Sequence, residues 1–128
     1  MNFARERANA DDAIRNLRIR TRDAQTAIRN LSGGNQQKAI LARWLVRSVR
    51  LLICDEPTRG VDVGAKEDMY ELLREFARAG GTVIVASSEV SETTMCDRVL
   101  VMTKGRITGE LHQERETDMH AAIIAQCG

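Results

Sequence analysis

Two short stretches of this chain hold side chains of the kinds that handle phosphate and water. In the first, Leu31-Ser32-Gly33-Gly34-Asn35-Gln36-Gln37-Lys38, a hydroxyl and two unhindered backbone N–H groups stand at the start of a helical pattern. The first N–H groups of a helix have no intrahelical partner and carry a partial positive charge, so such an end suits a phosphate. Taken alone, it is also what a well-capped helix after a glycine turn looks like. In the second stretch the apolar run Leu51-Leu52-Ile53-Cys54 ends in Asp55-Glu56-Pro57. A buried strand that stops at adjacent carboxylates can offer one of them, Asp55, to Mg²⁺, usually through water because that ion keeps its hydration. The other, Glu56, can polarise an attacking water as a general base. The plainer alternative is a pair of acids capping the turn before Pro57.

Several elements must hold these stretches in place. Ser32 suits an N-cap, and Gln37, Ile40, Leu41, Trp44, Leu45 and Ser48 recur at helical intervals, with Lys38, Arg43 and Arg47 on other faces. Trp44 reads there as a core residue. Arg50 to Cys54 reads as a buried strand. Ala65 to Ala77 predicts an amphipathic helix with Ala65, Met69, Leu72, Leu73, Phe76 and Ala77 on one stripe, closed by Gly80-Gly81. Thr82 to Ala86 predicts a second buried strand, and Ser91 to Cys96 a short helix. Arg98–Met102 and Arg106–Glu110 flank Thr103-Lys104-Gly105, a turn suited to an antiparallel hairpin. Met119, Ala122, Ile123 and Gln126 suggest a last helix. Residues 1–30 are polar, with Ala10, Ile14 and Leu17 at a weak helical spacing. The alternation of strands and helices predicts an α/β fold: a parallel sheet with flanking helices and the hairpin at its edge.

Composition narrows the function classes. With 43% hydrophobic and 29% charged residues the chain has an ordinary globular make-up, and at 3% aromatic its core must be aliphatic. Lys and Arg number 19 against 18 Asp and Glu, which gives no electrostatic reason to propose nucleic acid as a partner. Cys54, Cys96 and Cys127 are far apart and odd in number, so they read as reduced thiols rather than a zinc site or a disulfide framework. The charged start, Met1 to Arg7, does not read as a signal peptide, and no apolar run is long enough to span a bilayer. If the protein works at a membrane, another subunit does the crossing. His112 and His120 have no paired ligand pattern and read as surface residues.

Leu31–Lys38, the strand ending at Asp55-Glu56, and Asp62 in Asp55–Asp62 (DEPTRGVD) together resemble the signature loop, Walker B strand and D-loop of ABC ATPases. With Val63-Gly64-Ala65-Lys66 they are similar to the C-terminal nucleotide-binding domain of the tandem ATPases in bacterial monosaccharide importers. Ala39–Leu45 and Ala86-Ser87-Ser88 look most like the arabinose importer ATPase, with ribose, galactose and xylose relatives close. The resemblance implies a P-loop NTPase-like fold in which residues 1–30 end a helical subdomain or linker. Residues 31–111 form the catalytic back half, and 112–128 a C-terminal helix. It further implies ATP and Mg²⁺ as cofactors. Ser32, Gly33 and Gly34 would contact the γ-phosphate of ATP held by an opposite nucleotide-binding domain, on the same polypeptide or a dimer mate, and Gln37 would help fix the signature helix. Asp55 would serve Mg²⁺ through water, Glu56 the hydrolytic water, and Asp62 communication across the domain sandwich. The implied partners are transmembrane permease subunits and, indirectly, a periplasmic sugar-binding protein, at the cytoplasmic face of the bacterial inner membrane. The implied role is energising uptake of a monosaccharide, a pentose such as arabinose.

Three departures qualify the resemblance. No G-x-x-x-x-G-K-[ST] occurs, so the P-loop is missing and the chain is expected to be the later part of a domain that starts upstream of Met1. Without that half, the two parallel strands are expected to expose an apolar edge and face. Ser88 stands where the family pattern puts a switch histidine, and a hydroxyl cannot act as a protonatable switch. Cys54 occupies a usually aliphatic Walker B position and reads as packing. Two other functions stay open: a truncated, non-hydrolytic module that only donates its signature loop, and another ABC-class ATPase of DNA repair or translation. Against the repair class, no long heptad run precedes Leu31. By itself the chain is expected to bind Mg-ATP weakly or not at all and to show no ATPase activity, because a P-loop normally supplies most phosphate contacts. Titration with a fluorescent ATP analogue checks this, and low-micromolar binding by a monomer would overturn it.

Overall fold

The computed structural model describes residues 3–112 and 121–125, for residues 3 and 4 the backbone only. The chain divides into two compact units, one through Ala86 and one from Ser87. That division follows packing, whereas the boundaries at 30/31 and 111/112 were drawn on motif content.

The first unit holds α1 (Phe3–Asn16), α2 (Gly33–Leu45), β1 (Leu51–Asp55), α3 (Val63–Arg78) and β2 (Thr82–Ala86). β1 and β2 pair in parallel, in a register that runs from Leu51 opposite Thr82 to Asp55 opposite Ala86. α3 starts at Val63 rather than Ala65, because the Asp62 side chain accepts a hydrogen bond from the Ala65 N–H at 2.9 Å and caps the helix. It stops where the sequence puts Gly80-Gly81. Gly80 takes a φ of 92°, its N–H bonds the Ala77 carbonyl, and the Gly81 N–H reaches back to Phe76. Those two bonds form a Schellman motif and satisfy carbonyls left open at the helix end.

Met69, Leu72 and Leu73 of the expected stripe are buried, and Tyr70 joins them, with a phenolic oxygen that finds no hydrogen-bond partner among the described residues. Phe76 is half-buried and Ala77 exposed. On α2 the buried residues are Gly34, Lys38, Leu41 and Ala42. Trp44 departs from its core reading: it is 48% exposed and lies under the Arg47 guanidinium, 5.8 Å from the ring centroid. The inner side of α2 holds Lys38 instead, expected on an outer face. The Lys38 Nζ stands 2.6 Å from Asp68 Oδ2 on α3 and 3.5 Å from the Arg18 carbonyl. The strands are also covered less than expected. Leu52 is buried, but Leu51, Ile53 and Ile84 are 49%, 68% and 50% exposed, so one face of the parallel pair is open and apolar among the described residues.

In the second unit, a 3-10 turn (Val90–Met95) precedes β3 (Arg98–Thr103) and β4 (Arg106–His112). The antiparallel hairpin forms a sheet of its own and does not extend the β1–β2 pair. Lys104 and Gly105, at φ 50° and 77°, make its two-residue turn. The register shifts between Val101 and Met102, leaving Thr108 as the extra residue, with its hydroxyl 3.4 Å from the Val101 carbonyl. Residues 121–125 are helical, and Ala122 and Ile123 pack against Val101 and Leu111. Met119, His120 and Gln126 of the expected last helix lie outside the described residues. β4 runs one residue past the 111/112 boundary, and the exposed His112 ring stands 3.3 Å from Glu110. Neither Cys54 nor Cys96 is in a disulfide, and Cys127 lies outside the described residues. No described helix is long and apolar enough to cross a membrane.

The Lys38–Asp68 pair is lopsided, with side-chain exposures of 5% and 45%. Removing the acid therefore strands a buried ammonium, while removing the base leaves a carboxylate that water can reach. Asp68→Asn is expected to destabilise the chain by about 2 kcal/mol, and Lys38→Met by clearly less. The hydrogen bond from Lys38 holds the Asp68 carboxyl below its ordinary value of 3.8, with burial opposing it. A depressed acid contributes stability that is complete above the unfolded value and is lost as pH falls through the folded one. The stability gap between wild type and Asp68→Asn should therefore close as the solution is acidified below about 3.8. Urea titrations at neutral and acid pH measure it; a gap independent of pH would refute the assignment.

Candidate functional site

α2 begins in an extended residue, Ser32 (φ −62°, ψ 157°), as its N-cap position requires, but the Ser32 side chain bonds no backbone N–H of its helix. Its Oγ instead accepts from Asn35 Nδ2 at 2.8 Å. The amide oxygen of Asn35 in turn accepts from the Arg20 backbone N–H at 2.8 Å. One residue on, Gln36 Nε2 donates to the Leu31 carbonyl at 2.9 Å, while its N–H bonds the Ser32 carbonyl. Asn35 and Gln36 thus both tie the loop to the helix by side-chain bonds, and the neighbouring Gln37 is half-buried. Ser32 and Gly33 are exposed and Gly34 is buried.

The two glycines differ in purpose. A Cβ on Gly34 would lie 2.4 Å from the Cβ of Ala65, so the starts of α2 and α3 meet where only hydrogen fits. Gly33 faces the Gly60 carbonyl at 3.6 Å from its notional Cβ. Gly34 is therefore required by helix–helix packing, whereas a side chain at Gly33 would meet its neighbour only at ordinary contact distance. Ala65, in the Val63-Gly64-Ala65-Lys66 stretch, supplies the contact against which Gly34 rests.

The carboxylates sit at the end of β1. Asp55 is the last strand residue and exposed. Glu56 is half-buried and takes φ 46°, a left-handed conformation that costs a residue with a side chain about 1–2 kcal/mol. The chain is held there from both sides: the Glu56 N–H bonds the Ala86 carbonyl at 2.8 Å and its carbonyl accepts from Arg59 at 3.1 Å. Two residues on, Thr58 is completely buried, and its carbonyl accepts from Val61. This anchored turn, followed by Gly60 at φ 75°, carries the chain to Asp62. The Asp62 carboxylate is exposed but engaged as the α3 cap.

Mg²⁺ takes one or two protein carboxylates and completes its shell with phosphate and water. Asp55, exposed at a strand end, fits that share. Among the described residues no group of three His, Cys, Asp or Glu could hold a metal ion. Ser88 belongs to the second unit and is exposed; the adjacent Ser87 hydroxyl accepts from the Glu89 N–H at 3.0 Å. Sequence reasoning missed Asn35, Gln36 and Lys38. The first had a legible signal, an amide three residues after the N-cap serine and so on the same helix face.

Residues 2–59 match the family model described as ABC transporter. The chain is 50% identical over 120 residues to the ribose import ATP-binding protein RbsA 1 of Rubrobacter xylanophilus, an alignment that covers 93% of this chain and 24% of that protein. It is 46% identical over 126 residues to the arabinose import ATP-binding protein AraG of Shigella flexneri, covering 98% and 25%. The chain thus spans about a quarter of the length of these relatives. Among solved structures, the ATP-binding cassette MJ0796, in a dimeric post-hydrolysis state bound to ADP and Pi, superposes with a TM-score of 0.78 at 24% identity, over 90% of this chain and 50% of that one. The cbiO1 protein of Clostridium perfringens, part of the cbiONQ transporter complex, gives 0.74 at 25% identity over 97% and 49%.

The Gly34–Ala65 approach generates a compensatory test. Gly34→Ala should cost about 1–3 kcal/mol by overpacking. Adding Ala65→Gly removes the clashing methyl, so the double variant should recover most of that loss despite the roughly 1 kcal/mol helix cost of the new glycine. Denaturant midpoints of the two single variants and the double variant measure the coupling; additive losses would disprove the contact.

Proposed function

We propose that this chain, which belongs to the ABC transporter ATP-binding family, is the signature and Walker B portion of an ATPase subunit that energises uptake of a monosaccharide, a pentose such as arabinose. The observation that carries this reading is the meeting of two starts: the Ser32-Gly33-Gly34 loop at the head of α2 rests against Ala65 at the head of α3, directly after the turn that presents Asp55 and Glu56. One compact element thereby offers an anion-binding helix end and a carboxylate pair. The family resemblance divides the work between them. Ser32, Gly33 and Gly34 face the γ-phosphate of ATP on a second nucleotide-binding domain. Asp55 serves a hydrated Mg²⁺ on the chain's own side, where the bound metal would neutralise charge developing on the phosphoryl oxygens. Glu56 accepts a proton from the attacking water, and its strained but well-anchored backbone fixes the carboxylate for that task. Asp62, through the α3 cap, joins the D-loop to the signature loop. Ser88 stands at the switch position without a titratable group.

The partners that follow are transmembrane permease subunits and, beyond them, a periplasmic sugar-binding protein, with the ATPase at the cytoplasmic face of the inner membrane. Similarity to both ribose and arabinose import proteins supports a monosaccharide as cargo.

Because Ser88 replaces a protonatable group on the chain's own side, turnover there should be the lesser share. In the full-length protein with its permease, Ser32→Arg puts a long cation where the γ-phosphate must sit and should nearly abolish phosphate release. Glu56→Gln keeps the shape and removes only the base; where the affected site dominates, such losses run on the order of a hundredfold. Appreciable turnover should survive Glu56→Gln at the partner site. The reverse outcome, activity lost in Glu56→Gln and spared in Ser32→Arg, would sink the assignment.

A further inference from the structure

The hydrogen bonding around Ser32 fixes the direction in which its hydroxyl works. Arg20 N–H is a donor only, so the Asn35 atom 2.8 Å from it must be the amide oxygen. That choice settles the flip of the amide and turns the Asn35 NH₂ group toward Ser32, 2.8 Å from its Oγ. An amide NH₂ only donates, so Ser32 Oγ is the acceptor in this bond and its own hydrogen is left to point elsewhere. Ser32 is exposed and makes no cap bond to its own helix, so this hydrogen is available to a group reaching the start of α2 from outside.

A second consequence follows from the same bond. N-cap serines ordinarily accept from a backbone N–H of the first turn and so use up one of the donors that could bind an anion. Ser32 occupies the cap position without making that bond. With its Oγ engaged by Asn35, the first-turn N–H groups keep their capacity for a ligand.

We propose that Asn35 is a positioning residue that makes Ser32 an outward hydrogen-bond donor and keeps the first-turn N–H groups of α2 uncapped, which adapts this end to a phosphoryl oxygen. The inference rests on the reading that Ser32 meets a phosphate, and deepens it by naming the residue that sets the polarity of the contact. Arg20 belongs to the same device through its backbone alone, so its side chain is dispensable to it.

Three substitutions in the full-length protein with its permease test this. Asn35→Asp is nearly isosteric and still accepts from the Arg20 N–H, but its carboxylate takes the Ser32 hydrogen, reverses the bond and adds negative charge. The KM for ATP should rise about tenfold or more, with thermal stability close to wild type. Protonating that aspartate restores a neutral group, so activity relative to wild type should recover as pH is lowered, a behaviour that a merely structural role would not produce. Asn35→Ala lets Ser32 turn back to cap its own helix and should raise KM less. In a Ser32→Ala background, Asn35→Ala should add nothing. Additive losses in that cycle, or an Asn35→Asp defect that does not respond to pH, would overturn the role of Asn35 while leaving the phosphate reading intact. A Ser32→Ala variant with unchanged KM would overturn both.

Discussion

Everything at this site depends on how closely the heads of two helices approach. Gly34 lacks a side chain, and Ala65 stands in the space one would fill. A few residues further along, the buried Lys38 reaches across to Asp68, so α2 and α3 are joined by a steric contact at their start and a charge-assisted bond beyond it. The steric contact sets the distance and admits little adjustment, because packed surfaces have few near alternatives. The ion pair adds direction. Together they place the Ser32 loop against the segment Gly60–Ala65 that leaves the carboxylate turn, and a movement of either segment is felt by the other.

The carboxylate turn is positioned by different means. Glu56 adopts a backbone conformation that disfavours any residue with a Cβ, one of four non-glycine residues at positive φ, with Arg18, Ser48 and Lys104. A glycine would be easier for the chain but would carry no carboxylate. The surrounding bonds, from Ala86 and Arg59, and the wholly buried Thr58 two residues on hold the turn in place.

Much of this was legible in the sequence, and the reasons are local. Helix and strand periods, the glycine pair after Arg78 and the Lys104-Gly105 turn are determined by residues close in the chain, and the elements formed where those signals stood. What was not legible depends on partners distant in sequence. Lys38 looked like a surface residue because its partner, Asp68, is thirty positions away. Trp44 looked like core because periodicity counts apolar residues but cannot say which side of an amphipathic helix finds a neighbour. Gly34 was read as an opening for a ligand, since a missing side chain serves close packing and ligand access equally well. Even Asp62, singled out for its motif, gave no hint from motif alone that it would cap α3. Family resemblance singled out the candidate residues; geometry assigned the neighbours that hold them.

The two halves of the site are not equally secured. The Ser32 loop is fixed within the first unit by helix–helix contact and by side-chain bonds from Asn35 and Gln36, none of which involves the sheet. Asp55 and Glu56 hang from the end of β1, and their position is only as firm as the β1–β2 pair. Parallel strands are normally covered on both faces, and a pair of strands alone is marginal in water. Here Leu51, Ile53 and Ile84 leave one face open among the described residues. A cover over that face would contribute apolar burial at about 25 cal/mol per Å² and stiffen the strand end that carries the acids. It would leave the Ser32 loop, already supported by α3, little changed. Carboxylate geometry should therefore respond to whatever packs on the sheet, while the start of α2 is built into the unit itself.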